Sequence, residues 1–478
     1  MQIPIALRAG DYGSIKDRGQ LVNLIAETNK AQDYITARRT EGLTLYTSSP
    51  NDEPLRCNPH ENGGYIYYVA GENLYRFLPP SGAAALVGAV GGSGRAMISS
   101  NSVPGANQIL ILNGAGAGYI YASSVLTQIT DPDFYSTTCV TILNERFWFP
   151  RDGTNEFFAS DIADGSAYNP LSFATAEWKP DNARITVSKK SALWIVGGGT
   201  AEFWQSIDDT LLPVRAVRGA SLDIGILADG SFAELDDYFA FLADNSNVVL
   251  ITGTEMSYIS DLEFTNKIRG DGTLQNPGFT DQQIQECIGF FVDTPQHKVY
   301  YLNFPSANYT WGYDLMTGLT LTRSSAGGIA WRGIYSITYQ NRVYVGDRIN
   351  GSIWLFDPDA KTEGEDIQPV TMVTPSISFK QDAFISAITV EMEVGVGETP
   401  DSNPQMIVYS SKNGGKKWIL HSHIPLGGWG KDQTSVRIRN FGRLPRNKDF
   451  KLKFIIADPV RVQFYDIDTG EDGISFDA

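Results

Sequence analysis

One hairpin pattern recurs along most of the chain: a run of aromatic or aliphatic residues, a tight turn, and a second such run. Successive copies are separated by 44, 37, 46, 46, 60 and 44 residues, and they start at Tyr65, Ile109, Arg146, Ala192, Tyr238, Lys298 and Arg342. Turns such as "VGGG" and "DRING" supply Gly and Asn where positive φ is needed. A period of about 40 to 50 residues with a central hairpin is typical of a β-propeller. The pattern therefore predicts an all-β fold whose propeller has six or seven blades.

A β-sandwich with evenly spaced turns is the alternative, because it also gives many short strands. Sandwich turns recur every 8 to 12 residues or so without a longer period, so the spacing favours the propeller. Helical periodicity is scarce. The best helix candidate is "TDQQIQECIGFF", where Thr280 is a suitable N-cap, and it predicts a short helical insertion near residues 280–291.

The texture of the sequence changes after the last hairpin. Residues 361–372 belong to an acidic run with two prolines, "LFDPDAKTEGEDIQPV", which we interpret as an exposed linker. The expected organisation is an N-terminal arm and docking strand, a propeller, the acidic linker, and a smaller antiparallel β-sandwich-like domain with an acidic tail. Their bounds are 1–40, 41–360, 361–372 and 373–478.

Charge is distributed unevenly along the chain. The formal net charge is −16, which argues against general affinity for DNA because phosphate binding depends on clustered Lys and Arg. Residues 410–461 hold 12 Lys and Arg against 3 Asp and Glu, net +9, and the remainder holds 26 against 51, net −25. Two interpretations stay open for this basic segment, a solubilising surface or an electrostatic dock for an acidic neighbour. The candidate interface residues are Arg437, Arg439, Arg443, Arg446, Lys448, Lys451 and Lys453.

Motifs for catalysis, cofactors or metals are weak, so we expect no enzyme and no cofactor. Cys57, Cys139 and Cys287 are too far apart for a metal motif and are expected as buried free thiols. His421 and His423 lie two apart on an expected strand, but only two other histidines exist, so solvated residues are the simpler interpretation. No apolar run approaches the roughly 20 residues of a spanning helix, and no membrane insertion is expected.

The stretch "SSKNGGKKW", residues 410–418, is close to the Asp-box of sialidases and related propellers. Its Asn and two glycines suit a hairpin turn, Ser411 can bond to turn backbone, and Trp418 can pack beneath it. Nothing in that arrangement transfers a proton. Neighbouring carboxylates such as Asp236 and Asp237 point apart on a strand. A carbohydrate-binding or glycoside-hydrolase propeller carried on a virion remains the alternative function, and its carboxylates would have to come from distant segments.

Three segments resemble the packaged-DNA stabilisation proteins, also called tail hub or nozzle proteins, of short-tailed bacteriophages. They are "QLVNLIAETNKAQDYITARRTEGLTLYT", "HKVYYLNFPSANYTWGYDLMTGLTL" and "VRIRNFGRLPRNKDFKLKFIIADPVRV". The first is similar to the family's opening, with Glu41 in place of the usual proline. The second is similar to its Tyr-x-Leu-x-Phe-Pro and Thr-Trp-x-Tyr-Asp signature, and the third to its Arg-rich strands that end in Asp-Pro-Val.

The resemblance implies a structural virion protein. Six copies would form a ring below the portal and its adaptor, extend the DNA channel and retain the genome until ejection. The implied partners are other copies of the chain, the portal-adaptor ring, a tail needle or spike and tail fibres, with double-stranded DNA passing through and no sequence-specific binding. Assembly would take place in the host cytoplasm, and the finished location would be the virion tail.

Overall fold

The computed structural model describes residues 3, 5, 19–29, 34–80, 82–270, 272, 276–394, 403–427, 433–469 and 474–476. Within these residues the chain is almost entirely β-structure. Four strands precede the first blade: β1 Gln20–Val22, β2 Leu24–Asn29, β3 Tyr34–Arg39 and β4 Gly42–Thr47.

Seven blades follow. Blade 1 contains β5 His60–Asn62, β6 Tyr65–Ala70, β7 Asn73–Phe77 and β8 Ala85–Ala89. Blade 2 contains β9 Met97–Ser100, β10 Ile109–Leu112, β11 Gly118–Ala122 and β12 Val125–Gln128. Blade 3 contains β13 Thr141–Leu143, β14 Arg146–Pro150, β15 Glu156–Asp161 and β16 Asp164–Thr175. Blade 4 contains β17 Ala183–Lys189, β18 Ala192–Gly197, β19 Ala201–Ser206 and β20 Val214–Ala216. Blade 5 contains β21 Ala233–Leu235, β22 Tyr238–Leu242, β23 Val248–Thr252 and β24 Glu255–Tyr258. Blade 6 contains β25 Ile288–Asp293, β26 Lys298–Phe304, β27 Tyr309–Asp314 and β28 Leu319–Arg323. Blade 7 contains β29 Gly333–Tyr339, β30 Arg342–Asp347 and β31 Ile353–Asp357.

The repeat in the sequence and the blades in the structure coincide. Every predicted hairpin begins at the first residue of the second strand of a blade, from Tyr65 in blade 1 to Arg342 in blade 7. The propeller is therefore confirmed, and the described chain gives it seven blades. Large apolar side chains fill the spaces between neighbouring blades, and Trp148 and Trp194 are among the fully buried ones.

The ring is closed by a strand from the other end of the chain. β4 pairs with β31 in antiparallel register, with Thr44 opposite Leu355, and so becomes the fourth strand of blade 7. The innermost strand of blade 7, β29, contacts β25 of blade 6 and β5 of blade 1. Main-chain hydrogen bonds thus join the start of the propeller to its end.

Ten more strands follow blade 7: β32 Thr362–Glu363, β33 Asp366–Ile367, β34 Val370–Val373, β35 Ala383–Val394, β36 Gln405–Ser411, β37 Ile419–Pro425, β38 Gln433–Leu444, β39 Lys451–Ile456, β40 Val462–Asp468 and β41 Ile474–Phe476. The strands β34 to β41 form two packed sheets together with β1, β2 and β3, whereas β32 and β33 extend the sheet of blade 7 beside β4. The first sheet has the order β2-β3-β40-β35-β38, with β41 on β35. The second continues blade 6 as β28-β1-β34-β39-β36-β37.

The two sheets share one core, which includes Leu24, Ile388, Val408 and Phe454. β1 is the link between the domains, because it pairs with β28 on one side and with β34 on the other. At the end of β1, the buried Asn23 side chain donates to the Pro369 carbonyl at 2.8 Å and accepts from the Ser324 N–H at 2.9 Å. The N-terminal segment therefore forms part of both domains.

Residues 361–372 differ from the expected exposed linker. They contain β32, β33 and the start of β34, and Glu363 is buried. Glu363 lies opposite Leu43 in a parallel bridge, and its carboxylate accepts from the Gln368 amide at 2.9 Å. Residues 364–367, which include Glu365 and Asp366, are exposed as expected, whereas Glu363 is buried at its pairing with β4, which the local sequence does not reveal.

The helical insertion is confirmed at its start and is shorter than predicted. Thr280 caps a helix, α2 Asp281–Gln285, through a capping box with Gln283. Ile288 already belongs to β25, because the apolar residues that suggested a helical face continue as the inner strand of blade 6. The longer helix α1, Leu262–Arg269, was missed, although Asp261 and Gly270 are ordinary cap residues. Three short 3-10 helices complete the description: Asp229–Ser231, Pro305–Ala307 and Ala326–Gly328.

An arginine spans the propeller axis. Arg95, just before the inner strand of blade 2, donates to the carbonyls of Asp229 at 3.0 Å and Phe232 at 2.8 Å, which lead into blade 5. Its guanidinium also lies 5.9 Å from the ring centre of Tyr335 in blade 7. Blades 2 and 5 are on opposite sides of a seven-membered ring, so this side chain bridges the axis.

Candidate partner interface

Strand alternation sets the direction of the basic side chains in the second domain. In β39, Leu452 and Phe454 enter the shared core, so Lys451 and Lys453 point outward from the second sheet. In β38 of the first sheet, Val436 and Ile438 are buried in the same core, while Arg437 and Arg439 are exposed. The predicted lysine and arginine pairs therefore lie on opposite outer faces of the sandwich.

Aromatic rings accompany the lysines on the outer face of the second sheet. The Lys453 Nζ lies 4.7 Å from the ring centres of both Tyr409 and Trp418. Leu420 is opposite Tyr409, and Tyr409 is opposite Lys453, so the three residues form one row across three strands. Partial burial among these groups lowers the pKa of Lys453. We call Tyr409, Trp418, Leu420, Lys451 and Lys453 the lysine–aromatic face.

Arg443 and Arg446 are engaged by an acidic residue of the same domain. The Arg443 guanidinium donates to Asp382 at 2.7 Å, and the backbone N–H of Arg446 donates to the other carboxylate oxygen at 2.7 Å. These two contacts, that of the Arg446 N–H first, lower the pKa of Asp382. Lys448 is exposed in the turn between β38 and β39. The seven predicted residues are thus not one patch.

The Asp-box is a hairpin turn between β36 and β37. The Ser411 hydroxyl oxygen accepts from the Gly415 N–H at 2.9 Å, and the Asn413 side-chain oxygen accepts from the Lys417 N–H at 2.9 Å. Trp418 then packs near Gly415 and Lys453. The motif's polar groups are used to hold the turn, as the sequence indicated.

The two histidines of β37 make different contacts. A register shift at Val408 and Tyr409 lies beside them, and His421 stacks on Phe441 with 4.3 Å between ring centres. His423 is opposite Ile407. Within the described chain, no group of three or more His, Cys, Asp or Glu residues could hold a metal ion.

The neighbouring carboxylates and the cysteines have structural surroundings. Asp236 pairs with Lys298 of blade 6, whereas Asp237 lies 3.2 Å from Lys190 of blade 4, so the two side chains point apart. The three cysteines, Cys57, Cys139 and Cys287, are free and buried, as predicted. Burial raises the pKa of each thiol to about 12, which keeps them protonated and unreactive at neutral pH.

Sequence reasoning missed two features of these surfaces. It treated the basic residues as one cluster. The alternation in "KLKF" and "VRIR" shows that the charged residues of each strand share one side, but it does not show that the two strands belong to different sheets. It also passed over Arg95, which stands alone in a glycine-rich stretch, "GGSGRAM", and has no recognisable local signal.

Known proteins are similar to this chain in sequence. A family model described as "Bacteriophage P22 Gp10, beta-propeller" matches residues 18–361, from β1 to the end of blade 7. The chain belongs to the P22 gp10 family. The match to the P22 gp10 family includes the N-terminal strands that link the two domains.

A curated relative covers more of the chain. The tail hub protein gp10 of Salmonella phage P22 is 23% identical over 467 residues, and the alignment covers 92% of this chain and 92% of that protein. Two solved structures are less similar. BamB from Moraxella catarrhalis is 10% identical, and the match covers 75% of this chain and 97% of that chain with a TM-score of 0.39. Sqt1 from Saccharomyces cerevisiae is 9% identical, and the match covers 66% of this chain and 99% of that chain with a TM-score of 0.41. At such scores the likeness to solved structures carries no argument.

Proposed function

We propose that this chain is a structural protein of the tail of a short-tailed bacteriophage, a hub or nozzle ring that extends the DNA channel below the portal and adaptor. The observation that carries the proposal is the relationship to a tail hub protein along 92% of both chains. In this role it helps to retain packaged DNA until ejection, contacts the adaptor ring, a needle or spike and tail fibres, and is assembled in the host cytoplasm. It is not an enzyme.

Because Arg95 bridges the axis of the propeller, a channel for DNA would have to form between several copies of the chain and not through one of them. Arg95 reaches from blade 2 to the carbonyls before blade 5, whereas the major groove of a DNA duplex alone is about 12 Å wide. A duplex therefore cannot run along the axis of one propeller. The DNA path in a ring of subunits runs beside the propellers, along their outer surfaces.

The negative charge of most of the chain supports a role as a channel wall that does not bind DNA. Outside residues 410–461 the chain carries a net charge of −25, which repels phosphates and reduces sequence-independent binding. No helix in the described part of the chain is long and apolar enough to cross a membrane. The basic residues of the second domain would guide acidic partners into register.

Genetic removal and replacement test the function. Phage that lack the gene are expected to package DNA and then lose it, and electron micrographs should show heads without a complete tail. Supplying the full chain in trans should restore DNA-filled particles that contain the protein in a ring. Stable, tailed, infectious particles made without the chain would contradict the proposal.

A further inference from the structure

We propose that the lysine–aromatic face docks on the acidic propeller of a second copy of this chain, in a contact that joins unlike surfaces. This inference rests on the proposed function and adds the surface by which the ring forms. The evidence comes from the sign of the charges, an exposed apolar residue and the position of β37 at the edge of its sheet.

The strands of this face carry positive charge only, and Asp449 lies beside their turn at Gly414. The strands β36, β37 and β39 contain no Asp or Glu, and the turn between β36 and β37 adds lysines. The lysines of these strands and this turn are Lys412, Lys416, Lys417, Lys451 and Lys453. The complementary surface is present on the same chain, because everything outside residues 410–461 carries a net charge of −25.

The face also exposes apolar surface at a sheet edge. Leu420 is 50% exposed, and in the described chain β37 is the last strand of its sheet. Ile419, which is 58% exposed, is opposite Ser410 in the row of Leu452 and so points to the other side of the sheet. An edge strand with apolar side chains is a ready pairing site for another chain. Charge then selects the partner, and apolar burial supplies most of the affinity.

The geometry of the contact follows from its charge. Two lysine–aromatic faces repel each other, so the face cannot pair with itself. The contact must join different surfaces of the two copies, and such head-to-tail contacts close into rings when the rotation between copies allows it. The opposite face of the sandwich is a poorer candidate, because Arg443 pairs with Asp382 and Arg461 lies 3.3 Å from Glu393.

Photo-crosslinking in assembled particles tests the surface with a matched control. Leu420 and Phe384 are similarly exposed, 50% and 46%, and lie in the second and the first sheet respectively. A photoreactive phenylalanine at position 420 should crosslink to propeller residues of a second copy, and the same probe at position 384 should not. Crosslinking from 384 alone, from neither position, or from 420 to the same position of another copy overturns the inference.

Charge-neutral variants provide the second measurement. Lys416, Lys417, Lys451 and Lys453 are replaced together by Gln, and the control replaces Arg437, Arg439, Arg443 and Arg446 by Gln. When each competes with wild type, the lysine variant should enter particles about tenfold less well at low salt, with a smaller deficit at high salt, and the arginine variant should be close to wild type. Equal incorporation of both variants, at unchanged melting temperatures, overturns the inference.

The two proposals fail in different ways. If Leu420 crosslinks to a different tail protein, the chain is still a tail component and only the docking partner is wrong. If the wild-type chain is absent from purified particles, the proposed function fails as well.

Discussion

His297 lies where blade 6 meets the N-terminal strands. Its Nδ1 is 2.8 Å from the Asp314 carboxylate, and its Nε2 is 4.0 Å from Glu27 of β2. Burial disfavours the charged ring, but Asp314 and Glu27 outweigh burial and raise the pKa of His297 to about 9. Arg38, which contacts Glu27, is the nearby positive charge. At neutral pH the buried His297–Asp314 ion pair lies within blade 6, and the partly exposed Glu27 extends its charge contacts to β2.

We expect stability to fall at alkaline pH because of this residue. The folded-state pKa lies above the unfolded value of about 6.5, so the stabilisation is complete below pH 6.5 and is lost as pH rises through about 9. A shift of this size corresponds to about 3 kcal/mol of unfolding free energy. Urea unfolding between pH 6 and 10 measures it, and His297→Gln should remove most of this pH dependence. A wild-type profile as flat as that of the variant would show that the pair contributes nothing.

The Asp-box residues should affect stability and should have no role in catalysis. Asn413→Ala removes the acceptor of the Lys417 N–H, and Trp418→Ala removes a ring beside Lys453, so each should lower the unfolding free energy by about 1 to 2 kcal/mol. Lys417→Ala is the control, because it keeps the backbone donor. Thermal unfolding measures the effect. A glycan-cleaving activity that disappears in either variant at unchanged melting temperature would contradict a purely structural role.

At the level of elements, the second domain is assembled from both ends of the chain. Ala37 of β3 is opposite Phe464 of β40, and Leu21 of β1 is opposite Met372 of β34. Local signals predicted the blades well, because each hairpin is complete within a short stretch such as that beginning at Tyr65. The pairing of β1 with β34 and of β3 with β40 was not predictable, since it joins residues hundreds of positions apart.

Residues 370–478 alone should therefore fail to fold cooperatively. Without β1, β2 and β3 the core loses Leu21, Leu24 and Ala37, and the edges of β34 and β40 lose their partners. Addition of a peptide covering residues 19–40 should restore protection of backbone amides in hydrogen exchange. A scrambled peptide of the same composition is the control. Cooperative unfolding of 370–478 by itself would show that the N-terminal strands are dispensable.

At the scale of the whole molecule, the proposed channel wall depends on charge and shape. The net charge is −16 and Arg95 bridges the propeller axis, and neither feature favours phosphate contacts inside the propeller. The candidate interface was only partly predictable from sequence. The sequence located the basic segment, but the division of Arg437 and Lys453 between two sheets depends on the packing of distant strands.

We expect the isolated chain to show no measurable binding to double-stranded DNA at 150 mM salt. Phosphate contacts would have to come from the basic segment alone, against repulsion by the acidic remainder. Fluorescence anisotropy with a labelled duplex measures this, and a lysine-rich protein of similar size serves as the positive control. Micromolar affinity with a steep salt dependence would contradict a passive channel wall.

The shared use of β1 to β4 also governs how the protein is made. β1 to β4 precede the rest of the propeller in the chain, yet β4 pairs with β31 and β3 pairs with β40. Blade 7 can therefore close only after β31 has been synthesised, and the sandwich only after β40. A chain that terminates before β36 leaves β3 without β40 and lacks every strand of the lysine–aromatic face, so the fold withholds the proposed docking surface from truncated chains.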